Sequence, residues 1–103
     1  PKSQTVLSFR RYVASIKKLC GIPSSDHENF NHAAEESINA QDETLHYLSQ
    51  IEYIGIPADK RLSLIRHLDT GFKLIRDMQQ LRDERAESVK RYEITTQEWL
   101  QHI

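Results

Sequence analysis

Apolar residues recur at helical spacing along almost the whole chain. Val6, Phe9, Val13, Ile16 and Cys20 follow one another at steps of three and four, with Tyr12 and Leu19 on the flank. That spacing predicts a helix over about 3–20 with one buried stripe. A second run, Phe30, Ala34, Ile38, Gln41, Leu45, Leu48 and Ile51, predicts a helix over about 25–54. Its start has the form of a capping box, with Ser25 as N-cap and Glu28 reaching back. Ala33, Ala34 and Ala40 leave its early part poor in bulk, so a neighbouring helix can come close. The third run is broader: Leu62, Leu64, Ile65, Leu68, Phe72, Leu74, Ile75, Met78 and Leu81. It predicts a helix from Pro57, a residue suited to a first helical position, to about residue 92. Gly71 interrupts that face at a cost of about 1 kcal/mol relative to Ala, and so marks a close crossing or a bend.

The pattern then changes. Residues 82–91 are nearly all polar and read as a helix leaving the core. Two readings of the end stay open. Thr95, Thr96 and Glu98 can cap a new helix over 96–103 that carries Trp99 and Leu100. Alternatively Leu81, Arg85, Val89, Tyr92, Thr96, Trp99 and Ile103 keep heptad spacing through one long helix. The tripeptide Gly-Ile-Pro occurs twice, at Gly21 and at Gly55, each time after an amphipathic run. Glycine in the left-handed C′ position followed by proline is a helix stop. The expected fold is therefore all-α: an antiparallel hairpin of two long helices turning at Gly55, with a shorter N-terminal helix packed on it. The chain forms a single domain as a three- or four-helix bundle.

Composition supports a folded helical chain. Of 103 residues, 28% are charged and 38% hydrophobic, and only 3 are Gly and 3 Pro, too few turn residues for an all-β fold. No apolar run has the length of a membrane span. The lone Cys20 excludes an internal disulfide and suits an intracellular chain, cytoplasmic or nuclear. Charge is sorted by segment. Residues 1–25 carry five basic residues and no acid, whereas 26–59 carry eight acids and no Lys or Arg. Residues 60–91 are mixed, with nine basic and five acidic positions. An acidic second helix lying between two more basic neighbours follows from that order.

Few residues carry chemistry. Glu43 and His46 form one Glu-x-x-His pair, and His32 with Glu36 and Glu98 with His102 sit four apart. A di-metal bundle needs two such motifs and two further carboxylates from other helices, which the chain does not offer. No metal, cofactor or catalytic residue is expected, and the chain reads as non-enzymatic. Gly-rich phosphate loops and the Gly-x-Ser-x-Gly elbow are absent from the sequence. The corner at Gly21 has the outline of a helix-turn-helix, but Lys17 stands where a small residue belongs, and the next helix opens on Asp26 and Glu28. Arg10, Arg11, Lys17 and Lys18 make a basic stripe on the first helix that can follow a phosphate backbone, unless it neutralises the acidic helix beside it.

Tyr47-Leu48, Ile51-Glu52 and the run from Ser63 to Asp69 resemble part of the N-terminal helical segment of inhibitor-of-growth proteins. The similarity covers about a fifth of the chain. Gly-Ile-Pro is displaced from that family's Leu-Pro, and the first helix is unrelated. The resemblance implies a helical role in dimerisation or complex assembly.

The leading expectation is a non-catalytic helical module for protein–protein interaction or oligomerisation, with a protein partner or a second copy. Phe72, Ile75, Met78, Val89, Tyr92 and Trp99 form the candidate interface, because the third helix outruns the cover that the first can supply. The alternative is a small regulator that binds nucleic acid through Arg10, Arg11, Lys17 and Lys18.

Overall fold

The computed structural model describes residues 2–23, 25–50 and 56–103, the side chains of 2 and 3 excepted. Four helices follow in order: α1 (Lys2–Cys20), α2 (His27–Leu48), α3 (Ala58–Leu81) and α4 (Asp83–Trp99). Each packs on its neighbour in sequence, and α4 returns to α1, so the helices close a square. Cross-helix pairs fix the directions. Arg11 meets Glu43 and Lys18 meets Glu36, so α1 and α2 are antiparallel. Gln41 meets Leu68 and Glu35 meets Arg76, which sets α2 against α3 in the same way. The result is an up-and-down bundle of 44 × 20 × 19 Å. Antiparallel α1 and α2 are not the steep corner of a helix-turn-helix.

Phe9, Tyr12, Ile16 and Leu19 from α1, Phe30 and Leu48 from α2, Leu64, Leu68 and Ile75 from α3, and Val89 from α4 are among the side chains filling the core. Fully burying an aliphatic or aromatic side chain of this size contributes about 1.5–3 kcal/mol. The stripe of α1 is rotated from its expected centre. Tyr12 and Leu19 are fully buried, whereas Val6 and Cys20 are half-buried. The cause is that α1 is enclosed from two sides, by α2 and by α4, rather than lying across a hairpin.

The largest departure lies after Leu81. The predicted long third helix is broken at Arg82, whose φ of 49° and ψ of −114° reverse the chain at once into α4. That backbone region belongs to type II′ turns and favours glycine, which is why no sequence signal marked the stop. The guanidinium is held at the turn, 4.3 Å from the centroid of the Phe30 ring and in contact with His27 Nδ1. Asp83 and Glu84 then lie in the first turn of α4, at the positive end of its dipole. Residues 82–91 therefore fold back instead of projecting. Nor does a helix restart at 96: α4 runs through Thr96 and ends at Trp99, followed by three tighter turns from Leu100 to His102.

Other helix ends differ by smaller amounts. Asp26 rather than Ser25 caps α2, accepting from the Asn29 N–H at 3.4 Å. α2 stops at Leu48, short of the expected 54, and the Ser49 hydroxyl donates to the His46 carbonyl at 3.0 Å. Pro57 is the N-cap of α3, not its first residue. Gly21 does not take a left-handed conformation. α1 ends instead by tightening, with the Gly21 N–H on the Lys18 carbonyl at 3.1 Å. The stop assigned to Gly55, together with Ile51 and Ile54, lies outside the described residues.

Candidate interaction surface

The basic stripe of α1 is divided between two seams. Arg11 and Lys18 turn towards α2, where Arg11 Nη2 is 3.0 Å from Glu43 Oε2 and Lys18 Nζ is 3.6 Å from Glu36 Oε2. On the other side of α2, Arg76 Nη1 donates to Glu35 Oε1 at 2.8 Å. That hydrogen bond holds the Glu35 carboxyl below its usual range. The acidic helix thus lies between two basic ones, as the charge order requires. These partners are about half exposed, so each pair contributes on the order of 0.2–1 kcal/mol. Their main effect is on which helices become neighbours.

Arg10 and Lys17 turn the other way, towards α4. Among the described residues neither forms an ion pair. They border an open groove of about 560 Å³ between α1 and α4. Val13, Ala14, Ile94 and Leu100 supply its apolar lining, and Gln97 and Glu98 part of its polar edge. Ile94 keeps 57% of its surface exposed, and so does Leu7 further along α1. A second groove, of about 420 Å³, lies between α1 and α2 over Ala14 and Ala40. Its charges are already matched, since Arg11, Lys18, Glu36 and Glu43 line it as two ion pairs.

The six residues expected to meet a partner lie elsewhere. Ile75, Met78, Val89 and Tyr92 are buried within the single chain, and Trp99 is half-buried. Phe72 stays exposed at 36%, with the Arg76 guanidinium 5.4 Å from its ring centroid. The cover that the third helix lacked comes from α4 itself.

Where a partner was expected, the chain builds a buried polar layer. Tyr92 donates to the His67 carbonyl at 2.6 Å, so its oxygen accepts the Tyr12 hydroxyl at 2.8 Å. Thr96 donates to the Tyr92 carbonyl at 2.7 Å, which leaves its oxygen to accept His67 Nε2–H at 2.8 Å. His67 Nδ1 is therefore the unprotonated nitrogen. Its ring stacks on Tyr92 at 4.4 Å between centroids. Burial pushes the imidazole down to about 4 and the Tyr92 phenol up to about 12, and raises Tyr12 still further. Gln41 reaches across from α2 to the Leu68 carbonyl at 2.8 Å. Of these residues the apolar pattern marked Gln41 and Tyr12 as inward-facing, and the heptad alternative marked Tyr92 and Thr96. His67 carried no periodic signal, being one His on an already broad face.

No group of three or more His, Cys, Asp or Glu among the described residues can hold a metal ion. Glu43 is engaged by Arg11 and Glu36 by His32 and Lys18. Cys20 is half-buried, and desolvation pushes its thiol up to about 11, so it stays protonated at neutral pH. No helix among the described residues is long and apolar enough to cross a membrane. Comparison with protein-family models, curated proteins and solved structures gave no match to this chain. The short resemblance to inhibitor-of-growth proteins gains no support from it.

Proposed function

We propose that this chain is a non-catalytic helical interaction module that docks a partner protein along the α1–α4 seam. The observation that carries this reading is the pairing of an exposed Ile94 with the unneutralised Arg10 and Lys17 over an apolar groove. Partner-facing surfaces combine an apolar centre with a polar rim. Arg11 and Lys18, on the α2 side of α1, are answered by carboxylates. Ile75, Met78, Val89 and Tyr92 of the interface expected on the third helix are covered within one chain, which favours the α1–α4 seam over that face as the place for a partner. The nucleic-acid reading keeps Arg10 and Lys17 but not a free four-cation stripe. Arg11 and Lys18 sit on Glu43 and Glu36, and those carboxylates oppose a phosphate backbone.

The test uses Ile94→Asp. Its melting temperature should match the parent, because the side chain is mostly exposed. A partner co-purified with the intact chain, then reconstituted from pure components, should bind the variant at least roughly tenfold more weakly. Equal affinity would remove the seam as the docking surface. Steeply salt-dependent retention on DNA by the intact chain would favour the nucleic-acid alternative.

A further inference from the structure

The seam carries enough pattern to define the class of partner. Resting on the reading of the seam as a docking surface, we infer that the occupant is an acidic amphipathic α-helix of a partner protein, with two carboxylates seven residues apart. Arg10 and Lys17 are separated by seven residues on one face of α1, hence by about 10.5 Å along the axis. A helix laid along the seam repeats its own side chains at that interval, so its i and i+7 positions meet both cations in one register. The residues between them, at i+3 and i+4, lie over the groove. There Ile94, Val13, Ala14 and Leu100 offer apolar contact and no competing charge. The small Ala14 at the rim lets the partner backbone come close to α1.

Charge selects the occupant. Both cations on the α1 edge lack an ion-pair partner among the described residues, and two carboxylates supply one each. A flat polyanion is a poorer match. A lipid surface or duplex broad enough to engage the whole of α1 also meets Glu36 and Glu43 along its other side. A single helix confined to the seam does not. Glu98, at the groove edge, disfavours a run of carboxylates continued along the α4 side. The inferred helix is therefore acidic on its α1-facing edge and neutral or basic on the other.

The immobilised full chain can be tested against a displayed library of helical peptides whose outward positions are randomised. Enriched peptides should carry Asp or Glu pairs seven residues apart around Leu or Ile. Their affinity, read by fluorescence anisotropy, should fall at least roughly tenfold with Arg10→Glu/Lys17→Glu and with Ile94→Asp, and less than about twofold with Arg11→Gln/Lys18→Gln. Binders that depend on Ile94 but lack the acidic pair would overturn the acidic-helix inference and keep the seam. Binders indifferent to Ile94→Asp, or no binders, would overturn both. Retention on phosphatidylserine vesicles or DNA that is lost with Arg10→Glu/Lys17→Glu would assign the cations to phosphate and overturn the inference.

Discussion

Gly71 is the point where hydroxyls from two other helices reach the backbone of α3. A Cβ there would lie 2.1 Å from the Tyr12 hydroxyl and 2.1 Å from that of Tyr92. Helix propensity alone favours Ala over Gly by about 1 kcal/mol, but overpacking of this kind costs about 1–3 kcal/mol. Gly71→Ala should therefore destabilise in a denaturant titration, and part of the loss should be recovered in a Tyr12→Phe background. Thr5 gives the opposite expectation. It is fully buried and its hydroxyl has no hydrogen-bond partner among the described residues. An unsatisfied buried polar group costs about 1–3 kcal/mol, so Thr5→Val should raise the midpoint of the same titration. His67 sets a pH dependence. Its imidazole is neutral in the fold and titrates near 4, against an ordinary value of about 6.5. The unfolded chain therefore binds more protons between those values. Stability from this group is full above about 6.5 and is lost as pH falls towards 4. Melts between pH 7 and 5 should show that decline, and His67→Gln, which can still donate to Thr96, should flatten it.

At the scale of the helices, the two pairs of α1 cations separate two roles that one stripe had joined. Arg11→Gln/Lys18→Gln should lower stability by no more than about 1 kcal/mol for each ion pair, with the difference shrinking in salt. Arg10→Gln/Lys17→Gln should leave the melt unchanged. Equal melts for both pairs would mean that α2 does not draw on α1 for its neutralisation. Helix faces were legible because apolar spacing and charge order both report on neighbours. Phe30, Ile38 and Leu48 of α2 lie where periodicity placed them, and the acids of α2 meet bases on both sides. Even the inward face of α4 was visible as Val89, Tyr92, Thr96 and Trp99. What was hidden was the partner of that face. Reversal at Arg82 uses a positive φ on a non-glycine residue and is stabilised by Phe30, fifty-two positions earlier in the chain. No local pattern encodes that contact. The seam was hidden for the same reason, since it exists only once α4 has come back to α1.

For the whole molecule, the packing of α4 on α1 that closes the square holds the other features in place. Without it Tyr92 and Val89 would be exposed, Gly71 would be an ordinary helix breaker, and the groove beside Arg10 and Lys17 would not form. Closure brings together residues eighty positions apart, the Tyr12 and Tyr92 hydroxyls at 2.8 Å. It also predicts a chain that does not need a second copy to cover α3. The most direct measurement is nuclear Overhauser contact between the Gly71 Hα protons and the rings of Tyr12 and Tyr92, recorded on a mixture of labelled and unlabelled protein. Strong contacts to both rings, all within one chain, are expected. Contacts to Tyr92 that appear only between chains, or α4 amides that exchange as fast as an unstructured peptide, would contradict it.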